Sequence, residues 1–375
     1  MKTKGALLWG VNQEWSVEEI DVGDPVAGEV QVRLAASGMC HSDEHLVTGD
    51  TPLPSYPAIG GHEGAGTVIK VGPGVTDLAE GDHVVLAFIP ACGKCLPCST
   101  GHQNLCDLGA GLLAGTALAD GTYRVTAKGK GVLPMCLLGT FSPYVTVNQA
   151  SAVKIEPHIP LDKAALVGCG VTTGWGSSVH VADVRPGETV AIVGVGGVGI
   201  NAVQGAAAAG AARVIAIDPV EFKRESALKL GATEAYASVE EAMGPLGEAT
   251  YGRMCDKVVI TIGRLHGEDI AASQMITGKG GRMVLTGMGS FEDMDAKLNM
   301  AIFTLYQQDL QGAIFGGGNP RADIPALLKL YDQGILKLDE LITKTYKLED
   351  INQGYTDMRD GKNLRGVIMY DESDY

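Results

Sequence analysis

The segment that decides the fold is Thr189-Val-Ala-Ile-Val-Gly194-Val-Gly196-Gly197-Val-Gly199, an uncharged stretch in a chain of 375 residues. An apolar, β-branched run leads directly into a G-x-G-x-x-G turn, and an alanine-rich apolar segment follows from Val198 to Ala209. A buried strand, a tight turn and a helix account for this order, because glycines permit the turn and the close packing around it. The pattern predicts the first strand–turn–helix unit of a Rossmann-type sheet.

The same turn predicts a dinucleotide site. Gly194 would make the turn, Gly196 would admit a pyrophosphate, and Gly199 would let helix and strand approach, with the helix N-terminus supplying partial positive charge. Asp218, at the end of the next apolar run, can accept both ribose hydroxyls and would repel a 2′-phosphate, which favours NAD(H) over NADP(H). A structural turn without a nucleotide is the alternative. The predicted cofactor-binding residues here are Gly194, Gly196, Gly197, Val198, Gly199, Asp218 and Lys223, the last beside the same ribose.

The pattern of apolar and polar residues changes along the chain. From Glu29 to Phe88, alternating strands and glycine turns predict a compact β-rich domain. Beyond residue 188, continuous apolar runs alternate with helical segments, as expected for strands buried on both faces of a doubly wound parallel sheet. We therefore predict an α/β protein in which a β-rich domain is followed by a Rossmann-type sheet.

The net charge of the chain limits the kinds of partner that it is expected to bind. The formal net charge of −15 disfavours nucleic acid and anionic membrane surfaces, which leaves a small-molecule substrate. The apolar run in Met1–Gly10 is too short for a signal-peptide core and is better explained as a first strand. These features favour the cytoplasm, where thiols stay reduced.

Four of the eight cysteines fall in one short segment, Cys92, Cys95, Cys98 and Cys106. A ferredoxin run would need three residues before the last cysteine and a proline after it, whereas this segment has seven and Asp107. Tetrahedral Zn²⁺ with four thiolates tolerates the longer return. Such a site has no open position, so the segment predicts a structural zinc lobe.

Three further metal-competent residues are scattered: Cys40 before His-Ser-Asp-Glu-His, His62 in a glycine-rich turn, and Cys169 between two glycines. Singly, each is compatible with an ordinary buried residue.

Taken together, these motifs carry a resemblance. G-H-E-x-x-G, the four-cysteine lobe, G-C-G and G-x-G-G-V-G occur in one order, and the chain resembles the zinc-dependent alcohol dehydrogenases of the medium-chain dehydrogenase/reductase family from first strand to last. The segment 107–141 is similar to the longer class I and class III type, and within it to the actinobacterial branch that includes nicotinoproteins. The resemblance implies a GroES-like catalytic domain at 1–170 and 315–375, a Rossmann domain at 171–314 and catalysis in the cleft between them. It also implies NAD(H) and two Zn²⁺ per chain.

The resemblance also implies roles for residues near the second metal. Cys40, His62 and Cys169 would hold a catalytic zinc with one open position, and two thiolates with a neutral imidazole balance its charge. Four neighbours would assist. Ser42 would take the alcohol proton and pass it through the cofactor ribose to His45 near solvent. Asp43 would orient His62, and Glu63 would approach the metal from behind.

Further residues are carried over by position. The nicotinamide would contact Thr173 and backbone groups of Ala313 and Phe315, and Arg365 would pair with the pyrophosphate. His41 stands where many relatives have arginine and would bind phosphate less firmly, with a surface histidine as the alternative. The substrate pocket would be lined by Phe88, Leu138 and Met288.

The predicted function is zinc-dependent oxidation of primary or aromatic alcohols to aldehydes, and the reverse, by hydride transfer to NAD. Two alternatives within the enzyme class are a thiol-dependent formaldehyde dehydrogenase and a nicotinoprotein with tightly held NAD(H). A third alternative is an NAD-binding sensor or structural protein without turnover. The segment Gly312-Ala-Ile-Phe is predicted to be an apolar strand near the sheet edge. Such a strand suggests a homodimer joined through the cofactor domains.

Overall fold

The computed structural model describes residues 1–112, 116 and 120–375. The chain divides into two compact units, one of Met1–Cys169 with Asn319–Tyr375 and one of Gly170–Gly318. The predicted domain boundaries at 170 and 315 lie close to these divisions. Below, the first is called the catalytic unit and the second the sheet unit.

The strands of the described residues are β1 (Lys2–Leu8), β2 (Ser16–Val22), β3 (Glu29–Gly38), β4 (Ala58–Ile59), β5 (Gly64–Val71), β6 (His83–Leu86), β7 (Val125–Ala127), β8 (Lys130–Pro134), β9 (Tyr144–Asn148), β10 (Ala152–Lys154), β11 (Thr189–Val193), β12 (Arg213–Ile217), β13 (Glu234–Tyr236), β14 (Cys255–Ile260), β15 (Thr277–Leu285), β16 (Asp309–Gly312), β17 (Ile342–Tyr346) and β18 (Arg365–Met369).

The α-helices in the same part of the chain are α1 (His41–Thr48), α2 (Leu96–Ser99), α3 (Leu161–Ala165), α4 (Gly170–Gly176), α5 (Gly199–Ala208), α6 (Glu221–Lys229), α7 (Val239–Ala249), α8 (Gly267–Met275), α9 (Met300–Leu305), α10 (Pro320–Asp332) and α11 (Ile351–Arg359). A π-helical turn at Ser177–Val181 follows α4, and short 3-10 turns connect several other elements.

The sheet unit is built on one parallel sheet with the strand order β13-β12-β11-β14-β15-β16. The order reverses between β11 and β14, which in open α/β sheets creates a crevice at the carboxyl ends of those strands. The apolar side chains of β11, β12 and β14 are almost completely buried, as strands covered on both faces require, and exposure is confined to charged residues near the starts of β12 and β14. The predicted doubly wound Rossmann-type sheet is confirmed.

The catalytic unit contains two β-layers. Strands β1, β2, β7, β8 and β4 close into a small barrel, as far as the described residues show. A second sheet has the order β10-β6-β5-β3-β18-β17, and β9 pairs with the first half of β3 beside β18. Its core includes Trp15, Phe141 and Tyr355. The predicted β-rich domain is confirmed, including a first strand at the N-terminus.

One predicted strand is wrong in its bounds. The segment Gly312–Phe315 was expected to be an apolar strand, but β16 covers Asp309–Gly312. Phe315 adopts φ +54, which ends any extended run. β16 is still the edge of the sheet. None of the helices in the described part of the chain is long and apolar enough to cross a membrane.

Candidate active site and metal centres

The four-cysteine segment forms one compact cluster. The thiols of Cys92, Cys95, Cys98 and Cys106 come together, with Sγ–Sγ distances of 4.0 Å for Cys92–Cys98 and 3.8 Å for Cys95–Cys106. Tetrahedral Zn–S bonds of about 2.3 Å would place sulfurs about 3.8 Å apart. All four cysteines are free thiols, so the donor set fits one Zn²⁺ with no open position.

Backbone amides support this cluster. The N–H groups of Cys95 and Cys92 donate to the sulfurs of Cys92 and Cys106, each at 3.4 Å. Burial opposes ionisation of Cys92, but the backbone donors of Lys94 and Cys95 outweigh it and lower its pKa to about 6. Burial raises the pKa of Cys106 to about 12. Without a metal the cluster therefore favours one thiolate, and a bound cation would favour the rest.

The three scattered metal-competent residues also converge. One ligand atom from each of Cys40, His62, Glu63 and Cys169 lies within 4.8 Å of the others, and all four residues are buried. Neither ring nitrogen of His62 has a hydrogen-bond partner among the described residues. A buried imidazole without partners beside two thiols is a donor set that fits Zn²⁺.

Local backbone geometry explains why the sequence carries glycines around His62. A Cβ on Gly60 would lie 2.6 Å from the Trp15 ring and 2.7 Å from the Phe141 ring. Gly61 has φ +86, a conformation that residues with a side chain rarely adopt. The turn therefore packs directly on Trp15 and Phe141 and directs His62 towards the thiols. Cys40 lies at the N-terminal end of α1, where helix amides favour a thiolate.

The electrostatics of the cluster distinguish the two thiols. The hydrogen bond with Cys169, followed by the charge of His62, holds the pKa of Cys40 well below its ordinary value although burial opposes this. The same hydrogen bond, together with burial, raises the pKa of Cys169 well above its ordinary value. Burial lowers the pKa of His62, but the charges of Asp43 and Cys40 outweigh burial and raise it. Cys169 therefore holds its proton more firmly than Cys40 does, and a metal ligated by both thiolates would displace it.

Asp43 lies behind His62, where it was predicted. Its Oδ2 is 3.4 Å from His62 Nδ1, and its Oδ1 accepts a hydrogen bond of 2.7 Å from the amide of Gly61. The carboxylate is fully buried. It therefore faces Nδ1 and leaves Nε2 for a metal.

Glu63 and Arg365 form one buried ion pair, which differs from the separate roles predicted for them. Nη2 of Arg365 donates to Oε2 of Glu63, and both side chains are almost completely covered. Burial raises the pKa of Glu63, with Arg365 offsetting part of the effect. Arg365 was expected to pair with a pyrophosphate, but its guanidinium is paired with the carboxylate of Glu63 beside the metal ligands. Because Arg365 neutralises Glu63, the three-residue set remains the better account of the metal site.

The predicted proton path is changed by the burial of His45. Ser42 lies beside Cys40, with its Oγ 3.6 Å from the Cys40 sulfur. His45 was expected near solvent, but it is only 3% exposed and its Nδ1 is 3.3 Å from Oδ2 of Asp50. The exposed residue is His41, whose ring meets that of His45 edge-on with centroids 5.4 Å apart. Helix α1 buries His45 on its inner face and leaves His41 outside.

The predicted pocket residues lie in different environments. The half-buried ring of Phe88 packs edge-on against His62, with centroids 5.8 Å apart. Leu138 is part of the buried core of the catalytic unit. Met288 belongs to the sheet unit and is 40% exposed.

In the sheet unit, the glycine turn has the geometry that its sequence predicts. Gly194 follows β11 with φ +88, and α5 begins at Gly199. A Cβ on Gly199 would lie 1.9 Å from the carbonyl oxygen of Gly194, whereas a Cβ on Gly196 would meet only Lys223 Nζ at 4.0 Å. The turn is therefore closed behind Gly199 and open in front of Gly196.

Asp218 lies at the end of β12 and contacts this turn. Its Oδ2 accepts from the amide of Val195 at 3.0 Å, and its Oδ1 accepts from the amide of Val220 at 2.9 Å. Each carboxylate oxygen can still accept a second hydrogen bond. The residue thus holds the turn as well as being available to a ribose.

The residues predicted to contact a nicotinamide also lie in the sheet unit. Thr173 is buried in α4, and its Oγ1 has no hydrogen-bond partner within the described residues. The turn after Ala313 packs on the same helix, since a Cβ on Gly316 would lie 2.6 Å from the carbonyl of Thr173. An unpartnered buried hydroxyl beside an open glycine turn fits a dinucleotide.

Two residues that hold the glycine turn were not identified from the sequence. The hydroxyl of Thr261 donates to the carbonyl of Gly194, and Nδ2 of Asn201 donates to the carbonyl of Gly197 at 2.9 Å. Thr261 directly follows the apolar run of β14, so a polar residue at the carboxyl end of a neighbouring strand was the available signal.

The fold and the two clusters define a class. A Rossmann-type sheet with an open glycine turn, a GroES-type β-unit with a buried Cys–His–Cys set and a four-cysteine lobe are the parts of a zinc-binding dehydrogenase.

Comparison with known proteins gives the family. The model of the alcohol dehydrogenase GroES-like domain matches residues 26–157, and that of zinc-binding dehydrogenases matches 197–333. Alcohol dehydrogenase B of Mycobacterium tuberculosis is 59% identical over 100% of both chains. The NDMA-dependent alcohol dehydrogenase of Amycolatopsis methanolica is 50% identical over 99% of both.

Solved structures agree. A zinc-binding domain protein of the alcohol dehydrogenase type from Burkholderia ambifaria has a TM-score of 0.92 and 32% identity, covering 99% of this chain and 100% of that one. Benzyl alcohol dehydrogenase from Acinetobacter calcoaceticus has a TM-score of 0.90 and 28% identity with the same coverage. The chain belongs to the zinc-binding alcohol dehydrogenases of the medium-chain dehydrogenase/reductase family, as its motifs predicted.

Proposed function

We propose that this protein oxidises primary and aromatic alcohols to aldehydes, and catalyses the reverse reaction, with two Zn²⁺ per chain and NAD(H). The observation that carries the proposal is the convergence of Cys40, His62 and Cys169 at one buried point, separate from the four-cysteine lobe. A family member that retains both sets is equipped for turnover, since a sensor needs no metal site with an open position. The similarity to a benzyl alcohol dehydrogenase supports aromatic substrates.

Each part of the proposed reaction can be assigned to residues of this chain. Cys40, His62 and Cys169 would hold a Zn²⁺ ion that would supply Lewis acidity and make an alcohol hydroxyl more acidic. The two thiolates balance the charge of the cation, and the Phe88 ring covers one side of His62 and limits water there.

Oxidation of an alcohol releases one proton and one hydride. Ser42, beside Cys40, is placed to accept the proton, and the buried His45 next to the exposed His41 provides a path outward. The glycine turn, with Asp218 on the ribose, would hold a dinucleotide whose nicotinamide would supply the hydride acceptor.

The experiment that tests the proposal combines metal analysis with activity. We expect purified protein to contain two zinc ions per chain, and Cys169→Ser to retain only the lobe zinc and lose alcohol oxidation by about 10³-fold or more. Cys255→Ser is the matched control, because Cys255 is equally buried in the core of the sheet unit. One zinc per wild-type chain, confined to the lobe, would favour the sensor alternative.

A second candidate is a nicotinoprotein that keeps its NAD(H) and passes electrons to another acceptor. The observation that favours it is the 50% identity to the NDMA-dependent enzyme. Benzyl alcohol and ethanol with free NAD⁺, and again with an artificial acceptor such as NDMA, separate the two. Turnover only with the acceptor, together with NAD(H) released on denaturation, identifies a nicotinoprotein. Turnover of formaldehyde only with an added thiol identifies the formaldehyde dehydrogenase.

We also propose a homodimer joined through the sheet units. Strand β16 lies at the edge of its sheet, and α9, which precedes it in the chain, carries two exposed apolar side chains, Met300 at 69% and Leu305 at 80%. An open sheet edge preceded by a helix with exposed apolar side chains is suited to pairing with a second copy. We further propose a cytoplasmic location, where the eight free thiols would stay reduced.

A further inference from the structure

Helix α11 places a tyrosine in the core that supports the glycine turn before His62. Tyr355 is 2% exposed. Its ring stacks on Trp15 with centroids 6.3 Å apart and meets Phe141 at the same distance, inclined by 65°. These are the two rings on which the glycine turn before His62 packs. The position of the Tyr355 ring is therefore fixed by the same contacts that place His62.

The hydroxyl of Tyr355 is buried and has no hydrogen-bond partner among the described residues, and the same is true of Oδ2 of Asp43. Burial raises the pKa of Tyr355 well above its ordinary value, and the nearby charge of Asp43 is the next largest contribution. Tyr355 packs on the two rings that support the glycine turn, and Asp43 accepts a hydrogen bond from the amide of Gly61 in that turn, so the two unpartnered polar atoms belong to one packed cluster. Leaving both groups unpaired in the core would destabilise the fold.

We propose that the Tyr355 hydroxyl donates a hydrogen bond to Oδ2 of Asp43 and so acts, through Asp43, as a positioning residue for His62. This inference rests on the proposed function, because it assigns Tyr355 to the support of the zinc held by Cys40, His62 and Cys169.

The arrangement gives the carboxylate a fixed orientation. Oδ1 of Asp43 is held by the amide of Gly61, and Oδ2 faces Nδ1 of His62 at 3.4 Å. A donor from Tyr355 fixes the second oxygen as well, which prevents rotation of the carboxylate away from the ring. Nδ1 then carries the proton, and the lone pair of Nε2 points towards the thiols.

The test uses Tyr355→Phe, which keeps the ring and removes the donor. The matched control is Tyr370→Phe, since Tyr370 is a buried tyrosine of the same unit whose hydroxyl donates to the Thr140 carbonyl at 2.7 Å. Zinc release to a chromogenic chelator is timed for the full-length protein. Alkylation followed by peptide mass mapping then shows whether Cys40 and Cys169 or the lobe cysteines become free.

We expect Tyr355→Phe to release the zinc of Cys40 and Cys169 several-fold faster than wild type. The effect should stay below the roughly 10–100-fold that removal of a direct partner of a ligand costs. Tyr370→Phe should behave as wild type. If the effect passes through Asp43, Tyr355→Phe should add nothing in an Asp43→Asn background. A shifted visible spectrum of the Co²⁺-substituted Tyr355→Phe protein should accompany the faster release.

Two results would overturn the inference while leaving the proposed function intact. Unchanged zinc release with a raised Tm would show that the hydroxyl is merely an unpaired group in the core. Equal acceleration in the wild-type and Asp43→Asn backgrounds would show that Asp43 is not the intermediary. A wild-type protein without zinc at Cys40 and Cys169 would overturn the proposed function itself, and this inference with it.

Discussion

At the scale of single residues, two glycines of one turn have opposite requirements. Gly199 has no room for a side chain, because a Cβ would lie 1.9 Å from a backbone oxygen and 2.5 Å from Thr261 Oγ1. Gly196 has room, and the space in front of it is open. Gly199 is thus needed for folding, and Gly196 leaves space for the proposed dinucleotide.

The two glycines therefore predict separable losses. Gly199→Ala should destabilise the sheet unit by about 1–3 kcal/mol through overpacking. Gly196→Ala should leave the Tm unchanged and weaken binding of NADH by at least about tenfold, because its methyl group occupies the approach of the pyrophosphate. Thermal unfolding and NADH fluorescence titration measure the two effects. Equal NADH affinity in Gly196→Ala and wild type would show that no dinucleotide approaches this turn.

At the scale of elements, α11 is anchored by one carboxylate. Asp357 is nearly fully covered and accepts hydrogen bonds from the ammonium of Lys344, from Tyr346 at 2.8 Å and from Gln353 at 3.0 Å. The hydrogen bond from Lys344 is the main cause that lowers the pKa of Asp357 to about 2. The helix that carries Tyr355 is thereby tied to β17.

This anchor predicts a pH-dependent stability. The pKa of Asp357 is lower in the folded protein than the unfolded value of about 3.9, so its stabilisation is present above about pH 4 and lost as the pH falls through about 2. Asp357→Asn should lower the Tm at neutral pH, and the difference from wild type should shrink between about pH 4 and pH 2. Thermal scans across this range measure it.

Asp360→Asn is the control for that series, since Asp360 is exposed and pairs only with the exposed Lys362 among the contacts described. A Tm difference for Asp357→Asn that stays constant from neutral pH to pH 2 would contradict the assignment.

At the scale of the whole molecule, the outer strands of the parallel sheet are β13 and β16. Helix α9, which precedes β16 in the chain, carries the exposed side chains of Met300 and Leu305. Leu305→Asp should shift the protein from dimer towards monomer, because burying a charge in an apolar interface is unfavourable. Light scattering after size-exclusion chromatography measures the mass.

Leu228→Asp is the matched control, because Leu228 is an exposed leucine on α6, the helix between β12 and β13. It should leave the mass unchanged. A wild-type monomer, or a Leu305→Asp protein of unchanged mass, would contradict pairing through this edge.

The sequence alone determined those features whose cause is local. The apolar runs, the glycine turn of β11 and α5, and the spacing of Cys92, Cys95, Cys98 and Cys106 each specify their own structure within a few residues. The doubly wound parallel sheet and the four-thiol cluster follow from them, and the structure contains both. The joint order of the motifs was specific enough to predict the family, although no single scattered ligand was.

Only the tertiary structure decided which distant side chains meet. It paired Arg365 with Glu63, buried His45 while exposing His41, and packed Tyr355 against Trp15 and Phe141. These contacts join residues far apart in sequence through packing of whole elements, and periodicity along the chain reports burial but not the partner across the core. The sequence therefore fixes which donors are available, and the packing of α1, α11 and β18 determines what each one touches.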